Sequence, residues 1–191
     1  MMNNSHRTTA VSTIIAALVL GVGLAPAPAH AGSAVLEQLK AGKIVAASLP
    51  AAGVKPGRAM AIVDAPADLV YRLIHQVEAY KHFVPRIRES RRVKPGRYVV
   101  ECNMPWPVGD AWAYVDVRKG LRGQIRTVQW KMTNGTLERY EGVAWIQPYG
   151  SERSLVTYQM LAVPKTAAPD SLLSHGMRTA VRTMLEALRK R

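Results

Sequence analysis

Six strand-like runs follow one another between residues 86 and 163, and a single long amphipathic stretch then closes the chain. The runs cover 86–93, 97–104, 111–118, 124–132, 137–147 and 153–163. Turn residues separate them: Pro95-Gly96, the glycine-bounded 120–123 stretch, and Pro148-Tyr149-Gly150. Asn134-Gly135 reads as a type I′ hairpin turn, whose two central residues both take positive φ. Strands joined by such short turns make an antiparallel meander. A one-layer sheet of this size exposes an apolar face unless something covers it.

The only long element available as a cover is 169–191. Asp170 and Ser171 are placed to cap a helix start. Leu173, Met177, Val181, Met184 and Leu188 recur at steps of three or four and draw one apolar stripe. Burying five such side chains is worth about 8–15 kcal/mol gross, an upper bound because unfolded chains are partly collapsed. Arg178, Arg182, Arg189, Lys190 and Arg191 lie mostly off the stripe, and the terminal trio complements the negative pole of the helix.

Upstream of the meander, 33–41 reads as a short helix closed by Gly42, and 43–49 and 58–64 read as strands around a turn-rich 53–57 link. Pro66 suits a first helical position, and Leu69, Val70, Leu73, Ile74 and Val77 form a helical stripe. A second helical turn over 77–83 stops at Pro85. The expected architecture is α+β: a curved antiparallel β-sheet wrapped around a long C-terminal α-helix, with two short helices ahead of the meander.

The first 31 residues read as a signal peptide and 32–191 as one domain. Arg7 is a short basic start, 10–25 is apolar, and Ala29-His30-Ala31 is a small-x-small cleavage site. The apolar run is short for a bilayer span and ends in Pro26 and Pro28. Only Arg7 of the 26 basic residues precedes that cut, which leaves 25 against 13 acidic residues and a charge of +12. So basic a domain fits an anionic partner, and export favours a periplasmic or extracellular place and a membrane surface over nucleic acid. Arg86, Arg88, Arg91, Arg92, Lys94 and Arg97 cluster in sequence, either as a solvated face or as a docking patch. No aromatics alternate with them as base-stacking platforms would require.

Cys102 is the only cysteine, so the chain has no disulfide of its own and no thiolate metal cluster; it reads as a small buried residue. His75 and His82 are two helical turns apart, but the helix break expected between them argues against a shared metal site, and His175 is isolated. No G-x-S-x-G, H-E-x-x-H, C-x-x-C or P-loop occurs in the mature chain, and no pair of acids is spaced for general acid–base work. No catalytic residue, metal or cofactor is assigned. The aromatics and methionines are the better candidates. Trp112, Trp130, Tyr140, Trp145, Tyr158 and Met160 lie on meander strands, and Met177, Val181 and Met184 on the covering helix. Singly each is an ordinary core residue; as a set facing one helix they suit a pocket for a flexible apolar ligand. Tyr140 and Trp145 have opposite parity and share a face only if Gly142 marks a bulge.

Several strings in this order resemble the START/SRPBCC superfamily of helix-grip lipid-binding domains. Val63-Asp64-Ala65-Pro66 through Ile74 is similar to its first strand and helix, and Tyr80-Lys81-His82-Phe83-Val84-Pro85-Arg86-Ile87 through Ser90 to a string of its coenzyme Q-binding and polyketide-cyclase-like branches. Met104-Pro105-Trp106-Pro107-Val108-Gly109-Asp110 resembles a segment of bacterial START-type members, and Glu141-Gly142-Val143-Ala144-Trp145-Ile146-Gln147-Pro148 a strand end. Where START members often carry Arg-Asp after that Pro-Trp-Pro segment, this chain has Ala111-Trp112, so the resemblance carries over no charged pair. It implies a deep apolar cavity between sheet and C-terminal helix that holds one hydrophobic ligand, a lipid, sterol-like molecule or isoprenoid. The implied role is an exported, non-catalytic monomeric carrier; the alternative is a cavity enzyme of the polyketide cyclase/aromatase type.

Overall fold

The strand-like runs form six strands in the computed structural model, which describes residues 29–104 and 108–191. They are β3 (Ile87–Lys94), β4 (Arg97–Met104), β5 (Gly109–Arg122), β6 (Ile125–Gly135), β7 (Leu137–Pro148) and β8 (Ser154–Pro164). Two more precede them, β1 (Val45–Ser48) and β2 (Gly57–Val63). All eight make one antiparallel sheet in the order β1-β2-β8-β7-β6-β5-β4-β3, a meander with the first hairpin added beside its last strand. That closing pair, β2 on β8, brings both ends of the chain's strands together and gives the sheet its wrap.

The chain divides into two compact units, Met1–Lys43 and Ile44–Arg191. Helix α1 (Ala29–Lys40) belongs to the first. It starts four residues earlier than the stripe predicts and so includes the predicted cleavage site; the rest of the predicted signal segment lies outside the described residues. In the second unit α2 (Ala67–His75) and a 3-10 helix (Val77–His82) follow β2, and α3 (Asp170–Arg189) closes the chain.

Alternation decides which side chains face the helices. The inward set is Gly57, Ala59, Ala61 and Val63 on β2, and Val156, Tyr158, Met160 and Ala162 on β8. Paired with it are Tyr140, Gly142, Ala144 and Ile146 on β7, and Val128, Trp130 and Met132 on β6. Val115 and Val117 on β5 and Tyr98, Val100 and Cys102 on β4 continue the same face. The predicted stripe of α3 is buried throughout, Leu173, Met177, Val181, Met184 and Leu188 with Leu185 added, and the helix lies along β2, β1 and β8. Val70 and Ile74 of α2 complete the cover over β6, β7 and β8. Arg189 is held by donating from Nε and Nη2 to the Ile62 carbonyl at 3.1 and 2.8 Å.

Three local expectations give way. Neither Asp170 nor Ser171 caps α3: Pro169 is the N-cap residue and no side chain bonds the first turn. The β6–β7 connection is not type I′, because Asn134 is not among the residues with positive φ; its Oδ1 instead accepts the Gly135 N–H at 2.8 Å. Gly135 (φ 157°) is needed because a Cβ there would run into the Trp112 carbonyl of β5. Gly142 is no bulge, since β7 and β8 pair without a break from Arg139 to Pro148.

Candidate ligand-binding site

The interior is closed at one end and open at the other. Towards the β7–β8 turn the inward side chains are sealed: Ala61, Val156, Ala144 and Ile146 are fully buried against Ile74, Val181 and Leu185. Towards the β4–β5 and β6–β7 connections the inward residues Met160, Tyr140, Met132, Cys102 and Met104 all keep accessible surface. Among the described residues the buried core splits there into three clusters, and Tyr140 packs against all of them. A chamber that opens between β4–β7 and the start of α3 follows from this gradient.

Trp130 stands at the centre of the chamber. It pairs directly with Gly142 on β7, and a Cβ at Gly142 would collide with the six-membered ring of its indole. Two strands away, about 10 Å in a flat sheet, Tyr158 of β8 leans back over Ala144. The two rings meet above β7 with centroids 5.0 Å apart and planes at 31°. Glycine and alanine at consecutive inward positions of β7 therefore make the floor on which an aromatic pair spans three strands.

Tyrosine hydroxyls gather around this pair. Burial pushes the pKa values of Tyr80, Tyr140 and Tyr158 well up, and each is raised further by at least one neighbouring titratable group, Tyr140 acting on both Tyr80 and Tyr158. They remain protonated at neutral pH and act as donors, not bases. Tyr80 donates to the Ile74 carbonyl. Cys102 approaches Tyr140, and burial pushes its thiol up as well. Trp130 is different: it is 8% exposed, and its Nε1–H lies near the Tyr140 hydroxyl but makes no hydrogen bond of full geometry. An unpaired buried donor of this kind costs about 1–3 kcal/mol.

Among the described residues, none of the inward side chains at the open end is charged. Ala111, at the place where the resemblance would put a charged residue, faces inward and is buried, while Trp112 faces out and is 37% exposed. Trp112 packs on Tyr114 edge-on at 5.6 Å on the outer surface. Trp145 also faces out, because Ala144 and Ile146 on either side of it point in. These two of the predicted ligand-binding residues are therefore not part of the chamber. Trp130, Tyr140, Tyr158 and Met160 are, and Met177 reaches its open end, where its sulfur accepts the Ala162 N–H at 3.2 Å beyond the last β2–β8 pair. Val181 and Met184 belong instead to the sealed end. Met132, Cys102 and Tyr80 line the chamber without having been singled out as ligand contacts; period-two spacing from Trp130 finds Met132, but nothing in the sequence places the others.

The histidines have other neighbours. His75 Nδ1 lies 2.9 Å from the Tyr71 carbonyl and His175 Nδ1 3.0 Å from Arg178, and among the described residues no three ligating side chains group together. A groove of about 840 Å3 runs over β5–β8 beside the 51–56 loop, and its lining joins polar residues such as Arg118, Gln129, Lys131 and Gln159 with Trp130, Met132, Gly142 and Met160.

This architecture is similar to several solved structures. A STAR-related lipid transfer protein from Xanthomonas axonopodis has a TM-score of 0.66 at 20% identity, covering 77% of this chain and 92% of that one. Human STARD10 gives 0.62 at 13% identity, covering 90% and 82%. The di-domain ARO/CYC BexL of the BE-7585A biosynthetic pathway gives 0.53 at 18%, covering 71% of this chain and 45% of that one. At these identities the likeness shows the START helix-grip fold. No curated protein matches the chain in sequence. The family model described as polyketide cyclase/dehydrase and lipid transport matches residues 63–189, from the last residue of β2 to the last of α3, and the chain belongs to that family.

Proposed function

We propose that the protein is an exported, non-catalytic carrier of one hydrophobic molecule, a lipid, sterol-like compound or isoprenoid. The observation that carries this reading is the chamber itself, an uncharged interior sealed at one end and accessible at the other. Methionines at its open end supply adaptable walls, and aromatic rings its centre. The buried tyrosines argue against proton abstraction, because raised pKa values leave them protonated.

The second reading, a cyclase or aromatase, rests on the same hydroxyls, which can polarise a carbonyl by hydrogen bonding. Its family description includes cyclases as well as lipid transport. The two readings differ in what the protein leaves behind: a carrier retains its ligand unchanged, an enzyme releases a new product.

Organic extraction of protein purified from native envelopes, followed by mass spectrometry, tests the carrier reading. One apolar species near equimolar amount is expected, on a chain whose N-terminus is Gly32. Absence of any bound apolar species, or conversion of the extracted molecule on incubation with fresh protein, counts against it.

A further inference from the structure

We infer that the Trp130 indole N–H is the polar anchor of the chamber, and that it selects apolar ligands carrying a neutral oxygen acceptor, such as a ketone or ester carbonyl, over carboxylates. This deepens the carrier reading and rests on it.

Three observations lead there. The Trp130 Nε1–H is the sole indole donor among the described residues left buried without a partner, and the ring that bears it is fixed in place by Gly142 below and Tyr158 beside it. A donor so placed gains from a well-aligned acceptor brought from outside. The second observation is the company it keeps. Tyr140 lies close enough for the indole to favour its ionised form, yet no bond of proper geometry joins them. With its hydroxyl protonated, Tyr140 supplies a second donor beside the first. Two neighbouring donors suit the two lone pairs of a carbonyl oxygen.

The third observation excludes the charged alternative. Ala111 faces inward where a cation would have to stand, and towards the open end the inward positions beside Trp130 are Met132, Val115, Val117, Tyr140 and Met160; the two cations of inward register lie the other way, Lys119 exposed and Arg126 paired with Asp68 of α2. A carboxylate buried here would keep its charge without a counter-ion, at a cost that two neutral donors do not offset.

Matched eleven-carbon probes test the inference by calorimetry: 2-undecanone, undecane and undecanoate. The ketone is expected to bind about tenfold more tightly than the alkane, the worth of a donor left unmade otherwise. Undecanoate at pH 7 is expected to bind more weakly than both. Trp130→Phe should shrink the ketone's advantage over the alkane, measured as the ratio of the two affinities in the same variant. In wild-type protein labelled with 15N, the Trp130 indole cross-peak should move downfield with ketone and not with alkane, a readout that holds even if the variant folds poorly. Equal binding of ketone and alkane, an unmoved indole resonance, or tightest binding by undecanoate overturns the anchor while leaving a hydrophobic binding protein. Failure of all three probes to bind overturns the anchor and the carrier reading together.

Discussion

Tyrosine hydroxyls set the chemical character of the interior. Tyr80, Tyr140 and Tyr158 sit where ionisation would place a phenolate in apolar surroundings, so the folded state holds their protons more tightly than the unfolded chain does. The sign of the linkage follows. Their contribution to stability is whole below the unfolded pKa of about 10 and is drawn down as pH rises past it towards the raised folded values. Absorbance at 295 nm should therefore show that three of the seven tyrosines fail to ionise with the rest, and titrate only as near-UV circular dichroism reports unfolding. Ionisation of all seven near pH 10 in a protein that keeps its near-UV spectrum would put those hydroxyls in water. The same residues mark a limit of the sequence. Tyr140 and Tyr158 were placed at the ligand by their strand positions, but Tyr80 comes from the 3-10 helix, and no spacing rule connects a helical turn to a strand sixty residues later.

Helix α3 is one continuous element with two different jobs along its length. Its first half, with Met177, borders the open end of the chamber; its second half, with Val181, Met184, Leu185 and Leu188, is locked into the sealed core. Seven-residue spacing correctly puts Met177 and Met184 on one face, yet it carries no information about which stretch of sheet lies opposite. The consequence is measurable. Met184→Trp enters a filled core and should cost about 1–3 kcal/mol in urea unfolding. Met160→Trp grows into accessible space and should cost less while displacing bound apolar ligand. A reversed order of costs would move the chamber to the other end of the helix. Strand limits were legible for a similar reason that inward identity was not. Turn residues punctuate β3 to β8, and β4 matches its expected span of 97–104 residue for residue. Facing, by contrast, depends on register: Trp112 and Trp145 look like pocket residues by type, and only the unbroken β7–β8 pairing with Ala111 and Ala144 inward turns them out. The glycine at 142 was visible as an exception; that it makes room for Trp130 required the partner strand.

Across the whole molecule the charge is lopsided, with 26 basic against 13 acidic residues, and the fold decides which of those cations are available. In the 86–97 cluster Arg88 pairs with Asp110 at 2.5 Å, Arg92 with Glu78, and Arg97 with Asp116 at 2.5 Å. Arg86, Arg91 and Lys94 are exposed and are in none of these ion pairs. They stand on or beside β3, an edge strand of the sheet, where cations also block pairing with another chain. Docking on an anionic membrane, part of the proposed carrier role, would draw on these three before the paired ones. Each is worth roughly a factor of five in affinity near an anionic surface. Co-sedimentation with phosphatidylserine-containing vesicles should weaken on the order of a hundredfold when all three become alanine, with thermal stability unchanged. Removing the three pairs whole, with Arg88, Arg92 and Arg97 and their partners Asp110, Glu78 and Asp116 all made alanine, should weaken it less, since each pair carries no net charge. Binding should fall as salt is raised, because exposed charges are screened beyond about 8 Å at physiological ionic strength. Equal binding to phosphatidylcholine vesicles, or indifference to salt, would remove electrostatics from docking and leave the excess charge to solubility alone.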